Sequence, residues 1–167
     1  MDLSIYLACQ EQFCHPDETG VVVRWGTPDR NELVSMGAGK TWKVVEQVQY
    51  EASQDICPRI VYVHPDALEI PSRSEWDSAS ESDTTIQIAL DEVGKPELEF
   101  GFNMLGQAPV VGDRLMNYEA TEHPTWMQPV ATDWVIDSFD EFLPQTQSFY
   151  KAIYIAWCKA ERFAIAA

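Results

Sequence analysis

The chain has 167 residues, enough for one domain or two small ones, and 46% of them are apolar, which suits a packed core and excludes a disordered chain. Its 27 acidic and 11 basic residues give a formal net charge of −16, so phosphate backbones and anionic lipid are repelled and neither nucleic acid nor a membrane surface is expected as a partner. No apolar run approaches the roughly 18 residues that cross a bilayer, and Met1-Asp2-Leu3-Ser4 lacks the basic start of a secretory signal, so a cytoplasmic protein is expected.

The N-terminal strand candidates are Ser4–Cys9 and Val21–Trp25, rich in β-branched and aromatic residues. Cys9, Cys14 and His15 lie between them. Structural zinc sites supply ligand pairs from two loops, and the remaining cysteines (Cys57 and Cys158) form no second pair, so neither a metal site nor a disulfide framework is expected. Gly26-Thr27-Pro28-Asp29 punctuates the chain before the string Gly37-Ala38-Gly39-Lys40-Thr41, which resembles the end of a phosphate-binding loop. Such a loop requires a glycine five residues before Gly39, where Val34 stands, and a helix afterwards. Thr41–Tyr50 instead alternates, with Trp42, Val44, Val48 and Tyr50 on one face of a strand. The glycines are therefore expected to form a hairpin turn, and no nucleotide or other cofactor is expected.

Arg59–His64 is a further strand. After it, residues 71–83 are rich in Ser, Asp and Glu and too poor in apolar residues to offset their ordering entropy, which marks a linker. Thr84–Asp91 and Glu97–Met104 alternate on either side of a Gly/Pro turn and predict a β-hairpin. Asp113–Tyr118 and Asp133–Phe139 continue the strand series. The final stretch admits two readings. Phe149, Ile153, Trp157 and Ala160 share a helical face behind Ser148, yet Ala152–Trp157 also fits a strand buried on both sides. A strand to about Trp157 followed by a short helical tail is expected.

Sliding the chain on itself by 92 residues sets Trp42 on Trp134, Val44 on Ile136, Tyr50 on Phe142, Arg59 on Lys151 and Tyr62 on Tyr154, with Val61 and Val63 on Ile153 and Ile155. An internal duplication is one explanation. The expected fold is all-β, or a β-rich α+β fold should the tail be helical. It comprises two small antiparallel barrel-like modules, residues 1–70 and 84–167, joined by 71–83. Val111-Gly112-Asp113-Arg114 through Tyr118, followed by Asp133-Trp134-Val135 through Phe142, resembles the general pattern of small SH3-like barrels of bacterial and phage proteins. That resemblance covers the second half only, and it implies an architecture without an activity.

Each histidine (His15, His64, His123) precedes a proline, which favours extended backbone at a strand exit and predicts solvent-contacting loop-end side chains. No nucleophile–base pattern accompanies them, and the acidic clusters Asp137–Phe142 and Glu75–Asp83 do not follow a calcium-loop spacing. Trp76 and Trp126 stand out because they lie in polar or proline-bounded loops, where tryptophan can anchor a partner. The expected function is non-catalytic protein interaction through these residues or through unpaired strand edges. Two alternatives carry other chemistry: a small-ligand protein or enzyme using a barrel mouth with His64 or His123, and an acidic inhibitor of a basic nucleic-acid-binding protein.

Overall fold

A computed structural model describes residues 2–8, 22–35, 41–53, 55–66, 84–91, 100–105, 107–120, 122, 127–146, 148 and 150–162. The protein is all-β, and no helix occurs among the described residues. Five strands come from the first half: β1 (Asp2–Ala8), β2 (Val22–Trp25), β3 (Leu33–Ser35), β4 (Thr41–Gln49) and β5 (Cys57–Pro65). Five more follow: β6 (Thr84–Leu90), β7 (Phe100–Leu105), β8 (Arg114–Ala120), β9 (Met127–Phe142) and β10 (Ala152–Ala160). Each half forms one sheet, in the orders β2-β1-β5-β4-β3 and β7-β6-β10-β9-β8. These are the same order written twice. Neighbours are antiparallel except for one central parallel pair in each sheet, β1 with β5 and β6 with β10.

The 148–167 ambiguity resolves to strand as far as Ala160, three residues beyond the expected end. The helical tail expected after Trp157 is not found over residues 158–162, which are strand to Ala160 and then irregular, and residues 163–167 lie outside the described residues. Ala152 to Ala156 are all buried, because a central strand covered on both faces reads as a continuous apolar run.

One extra residue shapes each sheet. Along β4 and β5 the register passes from Val44↔Val63 to Glu46↔Tyr62, which leaves Val45 as a bulge. Along β9 and β10 it passes from Ile136↔Cys158 to Ser138↔Trp157, which leaves Asp137 as the bulge. A bulge inverts the alternation of everything beyond it. The expected single face of the fourth strand is therefore corrected. Trp42 and Val44 enter one apolar cluster with Tyr6, Val61 and Val63, whereas Val48 and Tyr50 enter another on the opposite face of the sheet.

That other cluster is the main core, and the two sheets share it. Leu3, Ile5, Leu7, Ile60 and Tyr62 meet Ile86, Ile88, Leu90, Ile153 and Ile155 there. Where the bent strands end, the sheets also touch through backbone: Tyr50 bridges Pro144, Glu51 N–H donates to Leu143 O at 2.8 Å, and Gln145 N–H donates to Gln49 O at 3.1 Å. Trp42 to Trp134, Val45 to Asp137 and Glu51 to Leu143 are all steps of 92 residues. An antiparallel contact centred on two counterparts is the arrangement that a two-fold axis produces.

Beyond the bulge the step changes. Register sets Tyr62 against Trp157, Ile60 against Ile155 and Val63 against Cys158, steps of 95 residues, because the link after β9 is longer than that after β4. The ungapped slide thus mispairs this strand. Tyr62 joins the shared core, whereas Tyr154 lies on the far face with its ring 6.0 Å from Phe139. With the gap in place, the satellite clusters match position by position: Tyr6, Val34, Trp42, Val44, Val61 and Val63 have the counterparts Ala89, Leu115, Trp134, Ile136, Ala156 and Cys158.

The turns before β3 and β8 repeat as well. Asn31 N–H donates to Val44 O and Gly112 N–H to Ile136 O, at 2.9 and 2.8 Å. Glu32 N–H bonds Asp29 O and Asp113 N–H bonds Val110 O, both at 3.1 Å. Asn31 and Gly112 take positive φ values of 67° and 95°, a region that asparagine and glycine tolerate best. Gly112→Ala should cost about 1 kcal/mol of conformational strain, since nothing within 4 Å would obstruct the added Cβ. Asn31→Gly should change stability by no more than about 0.5 kcal/mol. Because the core is shared, Ile5→Ala and Ile88→Ala should each cost about 3 kcal/mol, and each should shift one common urea transition seen by fluorescence and circular dichroism.

Candidate binding groove

The two repeats differ beside the turn that feeds the third strand. In the first sheet this region is closed from within. Ser4 Oγ donates to Gly26 O at 2.6 Å, and Gln47 Nε2 donates to Pro28 O at 2.6 Å. The guanidinium of Arg24, on edge strand β2, lies 5.8 Å from the centre of the Tyr6 ring and donates to Ser35 O on the opposite edge strand, β3, at 2.9 Å. One side chain thereby ties the two free edges of the sheet together.

In the second sheet the pinning bond survives and the closure does not. Gln87 is the register counterpart of Ser4 and donates through Nε2 to Gln107 O at 3.1 Å. The turn it holds places the buried Pro109 where the first repeat has Pro28. Arg114 Nη1 donates to Thr132 O at 2.9 Å and to Glu161 O at 2.7 Å, so β8 is fastened to β9 and to the end of β10. Thr132 Oγ1 accepts from Trp134 N–H and donates to Leu115 O, which stabilises a second irregularity where Arg114 pairs Val135 and Met116 already pairs Ala131. The counterparts of Arg24 and Ser35 are Phe102 and Met116, and phenylalanine has no donor with which to bridge the edges.

A groove of about 480 Å³ lies along this open edge. Pro109, Val110, Leu115, Met116 and Ile136 give it apolar walls, and Gln87, Gln107, Asp113 and Arg114 supply polar groups. Val110 and Val111 are 59% and 57% exposed, an unusual outlay of β-branched apolar surface on a turn. Gln87 is only 6% exposed, and the atom it engages with Gln107 O is its amide nitrogen Nε2.

Sequence reasoning pointed elsewhere. Trp76 falls in the 67–83 connection and Trp126 immediately before β9, and both lie outside the described residues, as do Cys9, Cys14, His15 and His123. Residues 36–40, which contain Gly37, Gly39 and Lys40, also lie outside them. They connect two antiparallel strands, and a strand rather than a helix begins at Thr41. His64 is corrected: it is 1% exposed within β5, with Nδ1 2.9 Å from Pro65 O, and it does not line the groove. Cys57 and Cys158 are free thiols. Among the described residues no three His, Cys, Asp or Glu side chains gather to hold a metal ion, and no helix is long and apolar enough to cross a membrane. No family model matches the chain, and neither the curated proteins nor the solved structures include a match to it.

Behind the groove wall, burial pushes the Cys158 thiol up to about 11 from its ordinary 9.0. Burial, followed by the 2.7 Å bond to Glu141, raises the Tyr154 hydroxyl from 10.0 to about 12. Both groups stay neutral in the folded protein at pH values where the unfolded chain ionises. The stability this represents is complete below about pH 9 and is lost as pH rises through 11 and 12. The urea midpoint should therefore hold level from pH 7 to 8.5 and fall above pH 9. Cys158→Val, which installs the residue of the matching position Val63, should flatten the first part of that fall.

Proposed function

We propose that the protein is a non-catalytic protein-interaction module. The observation that supports this reading best is the open apolar groove on the second sheet, at a place where the first sheet supplies its own closing side chain. A groove of this size, with apolar walls and no histidine or cysteine among its lining residues, suits recognition rather than acid–base chemistry. Trp76 and Trp126 are the aromatic anchors that the sequence offers to such a partner. Free thiols at Cys57 and Cys158 fit a reducing compartment, which supports a cytoplasmic location. The charge of −16 favours a basic protein surface over nucleic acid or lipid.

A small-ligand protein is the second reading, favoured by the same cavity, but it loses His64 as its polar group. The two part company in one experiment. Trp126→Ala and Trp76→Ala should leave the circular dichroism spectrum and melting temperature unchanged while abolishing recovery of a specific partner on the immobilised full chain. Recovery of that partner unaltered by both substitutions would remove these anchors. Recovery that vanishes in high salt alone would favour the acidic inhibitor.

A further inference from the structure

We propose, building on the interaction reading, that the groove along β8 receives an arginine side chain carried on an extended, basic segment of a partner protein. The first repeat is the template. There an arginine from a neighbouring edge, Arg24, lays its guanidinium across the sheet and donates to the free carbonyl of Ser35. In the second repeat the register counterpart of that carbonyl is Met116 O, and the counterpart of the arginine is Phe102, which cannot donate. The position of the acceptor is kept, and a phenylalanine holds the position of its donor.

The surroundings match the rest of an arginine. Its three-carbon stem needs apolar walls, and Pro109, Val110 and Met116 provide them. Its five N–H donors need acceptors, and both Gln87, a residue only 6% exposed, and Asp113 line the groove. Arg114 also lines the groove, and its Nη1 is held by Thr132 O at 2.9 Å and Glu161 O at 2.7 Å. Beside the groove, β8 is an edge strand whose second side pairs with no strand among the described residues. An extended segment can add there by backbone hydrogen bonds, with one side chain entering the groove. Charge selects the segment: residues 84–167 carry twelve acidic and five basic side chains, so a basic strand is drawn in and an acidic one repelled.

The probe is a capped heptapeptide of alternating valine and lysine with a central arginine, titrated into the full chain and followed by amide NMR and calorimetry. Two controls replace the arginine by citrulline, a neutral isostere, or by glutamate. Amide shifts should concentrate at residues 107–116 and at Ile136, with affinity at least tenfold lower for both controls. Val110→Lys, an exposed change on the groove wall, should weaken binding at least tenfold. Val111→Lys, next to it but outside the groove, should change it less than threefold. Equal binding of the citrulline peptide, or no binding of the arginine peptide at millimolar concentration, would overturn the assignment. Shifts confined to residues 67–83 or 121–126 would overturn it too, yet would leave the protein-interaction reading standing.

Discussion

The architecture depends on one surplus residue in each long strand. A strand exposes its side chains alternately, so a sheet without interruptions would have turned Trp42, Val44, Val48 and Tyr50 to the same side. The bulge at Val45 divides that set between two apolar clusters, and the bulge at Asp137 does the same to Trp134, Ile136 and Phe142. Each five-stranded sheet can thereby wrap a small cluster of its own and still present a second apolar face to its twin. The local bend that accompanies a bulge is what allows one strand to serve both.

The two repeats share a framework and differ where chemistry requires it. Tyr50 and Phe142 occupy matching positions at the centre of the shared core, yet only Tyr50 carries a hydroxyl that must find partners once buried. It finds them in Ser148 Oγ at 2.9 Å and Tyr150 O at 2.6 Å. Both belong to the 143–151 link, which is longer than the corresponding 51–56 link of the first half. Burial drives the Tyr50 hydroxyl well above its ordinary range, so it stays neutral and bonded. The length difference that defeats an ungapped comparison of the halves is therefore the same feature that satisfies a polar group near the two-fold axis. Approximate symmetry here is constrained by hydrogen-bond accounting rather than by packing volume.

Much of the fold was legible because period-two alternation is a direct consequence of strand geometry. The hairpin of residues 84–104, the strands around Trp42 and Trp134, and the equivalence of those two tryptophans all follow from it. What escaped is what alternation cannot encode. A bulge changes the parity of a strand without changing its composition, so the split of the Trp42–Tyr50 set is invisible in one sequence. Three-residue β3 is too short to show a period, and Pro129 within β9 disguised a strand that runs without a break from Met127 to Phe142. His64 precedes a proline and so suggested an exposed strand end; it is buried because β5 is the central strand of its sheet and is flanked on both sides. The groove was least legible of all. None of its residues is unusual alone, and it emerges only when Met116 and Phe102 are set beside Ser35 and Arg24.

That comparison also explains how a symmetric framework can hold a single site. Two copies of one sheet present two pairs of free edges, and a free edge invites pairing with other chains. The first sheet removes the invitation with Arg24, which spans from β2 to β3 and caps an edge carbonyl. In the second sheet β8 runs seven residues against three in β3, its flanking turn exposes Val110 and Val111, and a phenylalanine, Phe102, stands at the position of Arg24. An edge that is longer and more apolar must be protected in some other way. The acidic charge of the chain, a formal −16, repels further copies of itself from that edge.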